Sequence, residues 1–88
     1  MAWRVELTPA AARELRKLDR QAAQRIGAYL QEVVTSCSHP RERGTSLTAN
    51  RVGLWRYRVG DYRVICELED ERLLVLVVRV AHRSEAYR

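Results

Sequence analysis

Hydrophobic and polar residues alternate at the start of the chain. In residues 3–8, WRVELT, the apolar positions are Trp3, Val5 and Leu7. Because successive side chains of a strand point to opposite faces, this period of two predicts a half-buried strand. The same period returns in the second half of the chain, where Gly60-Asp61 and Asp70-Glu71 separate the apolar runs. It predicts strands at about 52–59, 62–69 and 72–81.

The segment between these strands has a helical period. Thr8-Pro9 predicts a helix start over PAAARELRKL, because threonine caps a helix and proline suits its first turn. Asp19 predicts the cap of a second helix that continues to about residue 36. Its apolar stripe comprises Ala22, Ile26, Tyr29, Leu30 and Val33. Residues 37–50, with Pro40 and Gly44, have no apolar period and are predicted as a loop.

These elements together predict an α+β fold in one domain over residues 1–88. An N-terminal strand, a helical hairpin and a three-stranded antiparallel meander would form one sheet with the helices packed on one face. The last strand, LLVLVVRV, is almost entirely apolar. Such a run is typical of a central strand that is covered on both faces.

Charge adds a functional expectation to this fold. The formal net charge is +5, and Lys17 is the lone lysine among the 16 basic residues. Arginine binds phosphate in a bidentate manner and stacks on bases, so the composition favours an anionic partner, with nucleic acid first. High genomic GC content is an alternative explanation of the arginine bias.

The sequence also argues against several classes of protein. No apolar run is long enough for a membrane span, and the first residues lack the apolar core of a signal peptide, so a cytoplasmic protein is expected. Cys37 and Cys66 stand alone, without a CxxC pair or clustered histidines. We therefore expect structural cysteines, no metal site and no small-molecule cofactor.

The segment LWRYRVGDYRV places arginines close to one another. A hairpin turn at Gly60-Asp61 would pair Arg58 with Arg63 and Arg56 with Ile65. Like charges directly opposite each other destabilise a sheet by up to about 1 kcal/mol, so the pair either binds an anion or spreads into solvent. The opposite face would carry the core residues Trp55, Tyr57, Val59, Tyr62, Val64, Cys66 and Leu68.

The residues after the last strand supply candidate acid–base groups. His82 has the side chain whose ordinary pKa is nearest neutrality, and Tyr87 is suited to stacking or proton transfer. If Asp70-Glu71 forms a two-residue turn, the alternation puts Val80 and His82 on the arginine face and Arg83 on the other. Strand ends often contain bulges, which reverse such an assignment.

The segments GTSL, GLWRYRVGDYRVI and VAHRSEAYR resemble toxins of the RelE/ParE superfamily, over essentially the whole chain. The resemblance implies a type II toxin–antitoxin module. RelE-like members cleave messenger RNA in the ribosomal A site, whereas ParE-like members act on DNA gyrase. The implied partners are a RelB-like antitoxin and messenger RNA on the ribosome.

The RelE branch implies a role for each matching position. Arg63, Arg83 and Tyr87 take the catalytic places, and His82, beside Arg83, is a candidate for a supporting acid–base role in catalysis. Arg56 and Arg58 take the places that bind RNA phosphate. The sequence departs from some RelE members, which carry lysines on this strand. A ParE-like gyrase inhibitor and a non-catalytic partner-binding module on the same fold are the alternatives.

Overall fold

Two helices lie between the first strand and a group of four strands. The structure is a computed structural model that describes residues 2–47 and 54–84. Single 3₁₀ turns occur at Pro40–Glu42 and Asp70–Arg72. The strands are β1 (Arg4–Leu7), β2 (Thr45–Ser46), β3 (Leu54–Val59), β4 (Tyr62–Glu69) and β5 (Leu74–His82), and the helices are α1 (Pro9–Arg16) and α2 (Arg20–Ser36).

Both helices begin at the predicted caps. The Thr8 hydroxyl accepts a hydrogen bond of 3.1 Å from the Ala11 N–H, and the Asp19 carboxylate accepts one of 2.9 Å from the Ala22 N–H. Each cap satisfies an amide that the helix itself leaves without a partner. In the part of the chain that the structure describes, no helix is long and apolar enough to cross a bilayer.

The strands form one mixed sheet in the order β1-β5-β4-β3-β2. β1 is parallel to β5, and the other neighbouring strands are antiparallel. The predicted α+β fold is confirmed, and β5 has a strand on each side, as its apolar sequence indicates. The short strand β2 lies in the segment that was predicted as loop, and it pairs with Arg56 and Trp55 of β3.

The helices cover one face of this sheet. Ala11, Ile26, Leu30 and Val33 from the helices are buried against the strands. The predicted alternation of β3 and β4 is confirmed, because the apolar side of both strands faces the helices. The strand residues in this core are Tyr57, Val59, Val64, Cys66, Leu68, Val75, Val77 and Val80, with Trp55 and Tyr62 partly buried beside them.

A bulge in the pairing of β4 with β5 reverses the expected orientation of the chain end. Ile65 pairs with Arg79 and Cys66 with Val77, so Val78 is an extra residue in β5. The turn before β5 has four residues instead of the predicted two, and this even difference leaves the first side chains of β5 on their expected faces. The single extra residue, Val78, moves every later side chain of β5 to the opposite face. The conditional assignment of Val80 and His82 to the arginine face is therefore wrong.

Candidate nucleic-acid interface

The hairpin register brings two arginines side by side. Val59 pairs with Tyr62 across the turn, and Arg58 pairs with Arg63 as predicted. Arg56 pairs with Ile65 and lies two residues before Arg58, on the same side of β3. We call the sheet face opposite the helices, with Arg56, Arg58 and Arg63, the arginine face.

Arg63 is buried although it lies outside the apolar core. Its residue surface is only 8% exposed, and its guanidinium Nη1 donates to the Tyr62 carbonyl at 3.0 Å and to the Gly60 carbonyl at 3.3 Å. Burial lowers the pKa of Arg63, and the neighbouring charges of Arg58 and Arg56 lower it further. Two backbone carbonyl groups of the hairpin thus stabilise and position the guanidinium of Arg63.

Arg58 and Arg56 differ in how they are held. Arg58 is exposed, whereas Arg56 is partly buried and donates from Nη2 to the Thr45 hydroxyl at 3.2 Å. The short strand β2 therefore orients Arg56, while Arg58 keeps its head group accessible. An exposed guanidinium beside a fixed one suits an extended anion better than a point charge.

The bulge brings Arg83 to the same end of the sheet. The Arg83 N–H donates to the Asp61 carbonyl at 2.7 Å, and its guanidinium Nε lies 4.0 Å from the Asp61 carboxylate. The charge of Arg83 also contributes to lowering the pKa of Arg63, after burial and the effects of Arg58 and Arg56. Arg83 thus lies within electrostatic reach of the arginine face, close to the hairpin turn.

His82 lies on the helix side of the sheet. It pairs with Tyr62, and the two rings meet edge to face with centroids 5.7 Å apart. Its Nδ1 accepts a hydrogen bond from the Ser84 N–H at 3.3 Å and lies 3.0 Å from the Ser84 hydroxyl. His82 is thus separated by the sheet from Arg63. Tyr87 lies outside the described residues.

The loop before β3 fixes the strand that carries Arg56 and Arg58. The Trp55 indole donates to the Arg43 carbonyl at 2.6 Å, and the buried Tyr57 hydroxyl donates to the Pro40 carbonyl at 2.7 Å. Gly44, with a φ of 79°, leaves no room for a side chain, because a Cβ there would lie 2.4 Å from the Arg56 carbonyl oxygen. The loop and β3 therefore pack as one unit.

Two further residues lie next to this site, and the sequence does not predict their position there. Glu14 of α1 accepts a hydrogen bond from the Val80 N–H at the bulge, and Arg25 of α2 lies over Gly60 of the hairpin turn. Both are ordinary charged residues on amphipathic helices. No local motif marks them, since their importance depends on which strand the helix packs against.

Four arginines around one hairpin can bind phosphate and stabilise negative charge that develops on it. A guanidinium with a pKa above about 12 does not remove protons at neutral pH. These four guanidinium groups can therefore bind phosphate and offset negative charge, and they are not suited to accept a proton.

Comparisons with known proteins identify relatives of this chain. The profile of the family described as ParE toxin of type II toxin-antitoxin system, parDE, matches residues 5–87. Toxin RelE of Mycobacterium tuberculosis is 33% identical over 98% of this chain and 87% of its own length. Toxin RelG of the same organism is 30% identical over 100% of this chain and 99% of its own.

A solved structure shows the same fold. It is the toxin–antitoxin complex RelBE2 from Mycobacterium tuberculosis, with a TM-score of 0.75 and 28% sequence identity. The match covers 97% of this chain and 95% of that chain. The agreement extends over the helices and the sheet that position the arginine face.

Proposed function

This chain belongs to the RelE/ParE family of toxins from type II toxin–antitoxin systems, and from that premise we propose that it is a ribosome-dependent endoribonuclease. It would cleave messenger RNA and so inhibit translation. The observation that carries the proposal is the arginine face, where Arg58 and the buried Arg63 stand opposite each other at a cost in stability.

The proposed reaction uses the RNA itself as the nucleophile. The ribose 2′-OH loses its proton and its oxygen attacks the adjacent phosphorus. The bond from phosphorus to the 5′ oxygen then breaks, and that oxygen takes a proton. The products are a 2′,3′-cyclic phosphate and a 5′-OH. Such a step requires an in-line geometry, a proton acceptor, a proton donor and stabilisation of the charged phosphorane.

The arginines suit two of these requirements. Arg63 is held by the hairpin carbonyls, so it would present a fixed positive charge to the phosphorane. Arg83, beside the turn, would act on the same phosphate from the end of β5. Arg56 and the exposed Arg58 would bind the flanking phosphates and align the strand.

Proton transfer is assigned to groups near the end of the chain. We propose Tyr87 for base stacking or proton transfer. We propose His82 for a supporting acid–base role, in which it would act on RNA that passes around the end of β5 from the arginine face. The ribosome is a further source of catalytic groups. Full ribosome-dependent cleavage by both His82→Ala and Tyr87→Phe would rule this assignment out.

The positive charge of the arginine face also indicates what kind of antitoxin would bind it. We propose a RelB-like partner with an acidic segment that covers the arginine face and excludes RNA. The solved RelBE2 complex is a toxin–antitoxin assembly of this fold. Binding of such a partner would relieve the repulsion between Arg58 and Arg63, because it brings negative charge to the face.

A gyrase inhibitor is the second candidate, because the family profile that matches is that of the ParE toxins. Induction in cells distinguishes the two functions. Primer extension on messages shortly after induction should show new 5′ ends within codons, and translation should fall before DNA is damaged. Arg58→Gln is the matched inactive control, since Arg58 is exposed and its replacement leaves the core intact. DNA damage and filamentation with intact messages would instead identify a gyrase inhibitor.

A further inference from the structure

A groove lies on the helix side of the hairpin turn, next to the edge of the arginine face. Residues of α2 form one wall, and the end of β3 with Gly60 forms the other. Its volume is about 460 Å³. We call it the helix-side groove, and it is lined by Arg25, Ala28, Tyr29, Glu32, Arg58, Val59 and Gly60.

Arg58 connects this groove to the arginine face. Its position in the register puts it on the arginine face, opposite Arg63, yet its side chain also lines the groove. In the described part of the sheet, β2 pairs with Trp55 and Arg56 and does not extend to Arg58. The edge of β3 is therefore open at Arg58, and the long side chain lies where the two surfaces meet.

Arg25 supplies the second positive charge. Its guanidinium lies so close to the turn that a Cβ on Gly60 would be 3.0 Å from Nη2 and 3.3 Å from Nη1. Gly60 has a φ of 58°, a conformation that glycine adopts without strain. The residue that permits the tight turn thus also leaves the space that Arg25 occupies.

The acidic residue in the groove is already paired. The Glu32 carboxylate accepts a hydrogen bond from the Arg43 guanidinium, and Arg43 also lies over the Tyr29 ring at 5.6 Å. The charges of Glu32 and Arg43 offset each other, so Arg25 and Arg58 set the sign of the potential in the groove. A surface of this kind attracts an anion.

We propose that the helix-side groove is a second phosphate-binding site, in which Arg25 and Arg58 hold the backbone of single-stranded RNA. The strand passes from the arginine face around the open edge of β3 at Arg58 and enters the groove. An RNA backbone fits this path because its phosphates recur along a continuous chain, and Arg58 lies on both surfaces. The inference rests on the proposed function, which supplies the RNA.

The test is the salt dependence of RNA binding. The affinity of a short, labelled single-stranded RNA is measured by fluorescence anisotropy over a series of NaCl concentrations. For single strands, each phosphate that the protein neutralises adds roughly 0.7 to the steepness of log K against log salt. Arg25→Gln should reduce the steepness by about that amount, and the double variant with Arg58→Gln by roughly 1.4. Arg20→Gln, an exposed residue of α2 that does not line the groove, should leave it unchanged.

Equal slopes for Arg25→Gln and Arg20→Gln would overturn the proposal. So would a variant that loses affinity for a polyglutamate peptide while its RNA slope is unchanged, because the groove would then bind an acidic protein segment. The proposed function is tested separately, through cleavage of messages by the unmodified protein. If Arg25→Gln reduces the salt slope but the unmodified protein cleaves no message, the groove is supported and the nuclease function is rejected. If the unmodified protein cleaves messages but Arg25→Gln leaves the slope unchanged, the nuclease function is supported and the groove is rejected.

Discussion

The Glu14 carboxylate on α1 accepts a hydrogen bond of 2.7 Å from the backbone N–H of Val80 in β5. The second carboxylate oxygen lies 3.5 Å from the Arg79 guanidinium. Both contacts lie next to the bulge at Val78, where the pairing register of β4 with β5 shifts by one residue. Glu14 therefore stabilises the irregularity that turns Arg83 towards the arginine face.

Replacement of Glu14 by alanine should leave the buried Val80 amide without its acceptor. We expect Glu14→Ala to lower the free energy of unfolding by roughly 1–3 kcal/mol in urea titrations. Glu14→Gln keeps an acceptor oxygen and should be much less destabilised. Equal destabilisation of the two variants would show that the hydrogen bond contributes little and that the ion pair with Arg79 dominates.

Removal of a charge from the arginine face should change stability and RNA binding in opposite directions. Arg58→Gln keeps most of the side chain but removes the charge opposite Arg63, so the free energy of unfolding should rise by up to about 1 kcal/mol at low salt. RNA affinity should fall, because one phosphate no longer has a cationic partner. Urea titrations and anisotropy on the same samples measure both effects.

Salt provides the control for this prediction. At about 1 M salt the Debye length is roughly 3 Å, so the repulsion is screened and the stability gain of Arg58→Gln should disappear. Arg13→Gln, on the exposed side of α1, should change stability by less than about 0.5 kcal/mol at either salt concentration. A gain that persists at high salt would contradict an electrostatic origin.

Two glycines should respond in opposite ways to the same added methyl group. Gly44→Ala forces a residue into the left-handed region, at a cost of roughly 1–2 kcal/mol, and adds a contact of 2.4 Å with the Arg56 carbonyl oxygen. Gly27 lies in α2, and apart from its chain neighbours and the nearby backbone of the same helix no atom lies within 4 Å of its Cβ position. Gly27→Ala should therefore raise the free energy of unfolding by about 1 kcal/mol. Thermal unfolding compares them directly, and a stable Gly44→Ala would contradict the tight packing of the loop on β3.

The two cysteines should differ in reactivity. Burial raises the pKa of the Cys66 thiol to about 12, whereas Cys37 is partly exposed. Iodoacetamide at about pH 9, near the ordinary thiol pKa of roughly 8.5, should add one group to the folded protein, at Cys37, and a second after unfolding in urea. Peptide mass spectrometry locates the adducts. Rapid labelling of Cys66 in the folded state would show that the core opens readily.

The same burial makes stability dependent on alkaline pH. The raised pKa of Cys66 means that the folded state retains this proton while the unfolded state loses it. The contribution to stability is complete below the unfolded pKa of about 8.5 and decreases as the pH rises towards the folded value. In Cys66→Ala this part of the decline should be absent, which urea titrations over that pH range would measure.

Local signals predicted much of the fold. Thr8 and Asp19 begin the helices because side-chain capping depends on a few adjacent residues. The Arg58–Arg63 register follows from the tight turn at Gly60-Asp61. The bulge is different, because it depends on how Glu14 of a distant helix meets β5. A period of two cannot reveal where one residue is inserted, so the face of His82 and Arg83 could not be assigned from the sequence.

The candidate site was only partly predictable for the same reason. Alternation placed Arg56, Arg58 and Arg63 on one face, but it did not reveal that Arg63 is buried and hydrogen-bonded to the hairpin carbonyls. Arg25 belongs to the exposed side of a helix by its pattern. Its position over Gly60 arises from the packing of α2 beside the turn, which involves residues far apart in sequence.

The parallel pairing of β1 with β5 has a consequence for the order of folding. The helical hairpin and the β3–β4–β5 meander join neighbours in sequence, so they can form early. The ladder that pairs Arg4 with Leu74 must close a loop that contains nearly all of the other described elements. Contacts of such long range slow the folding of a domain. The final step of folding should therefore be the docking of β1, which completes the sheet around β5.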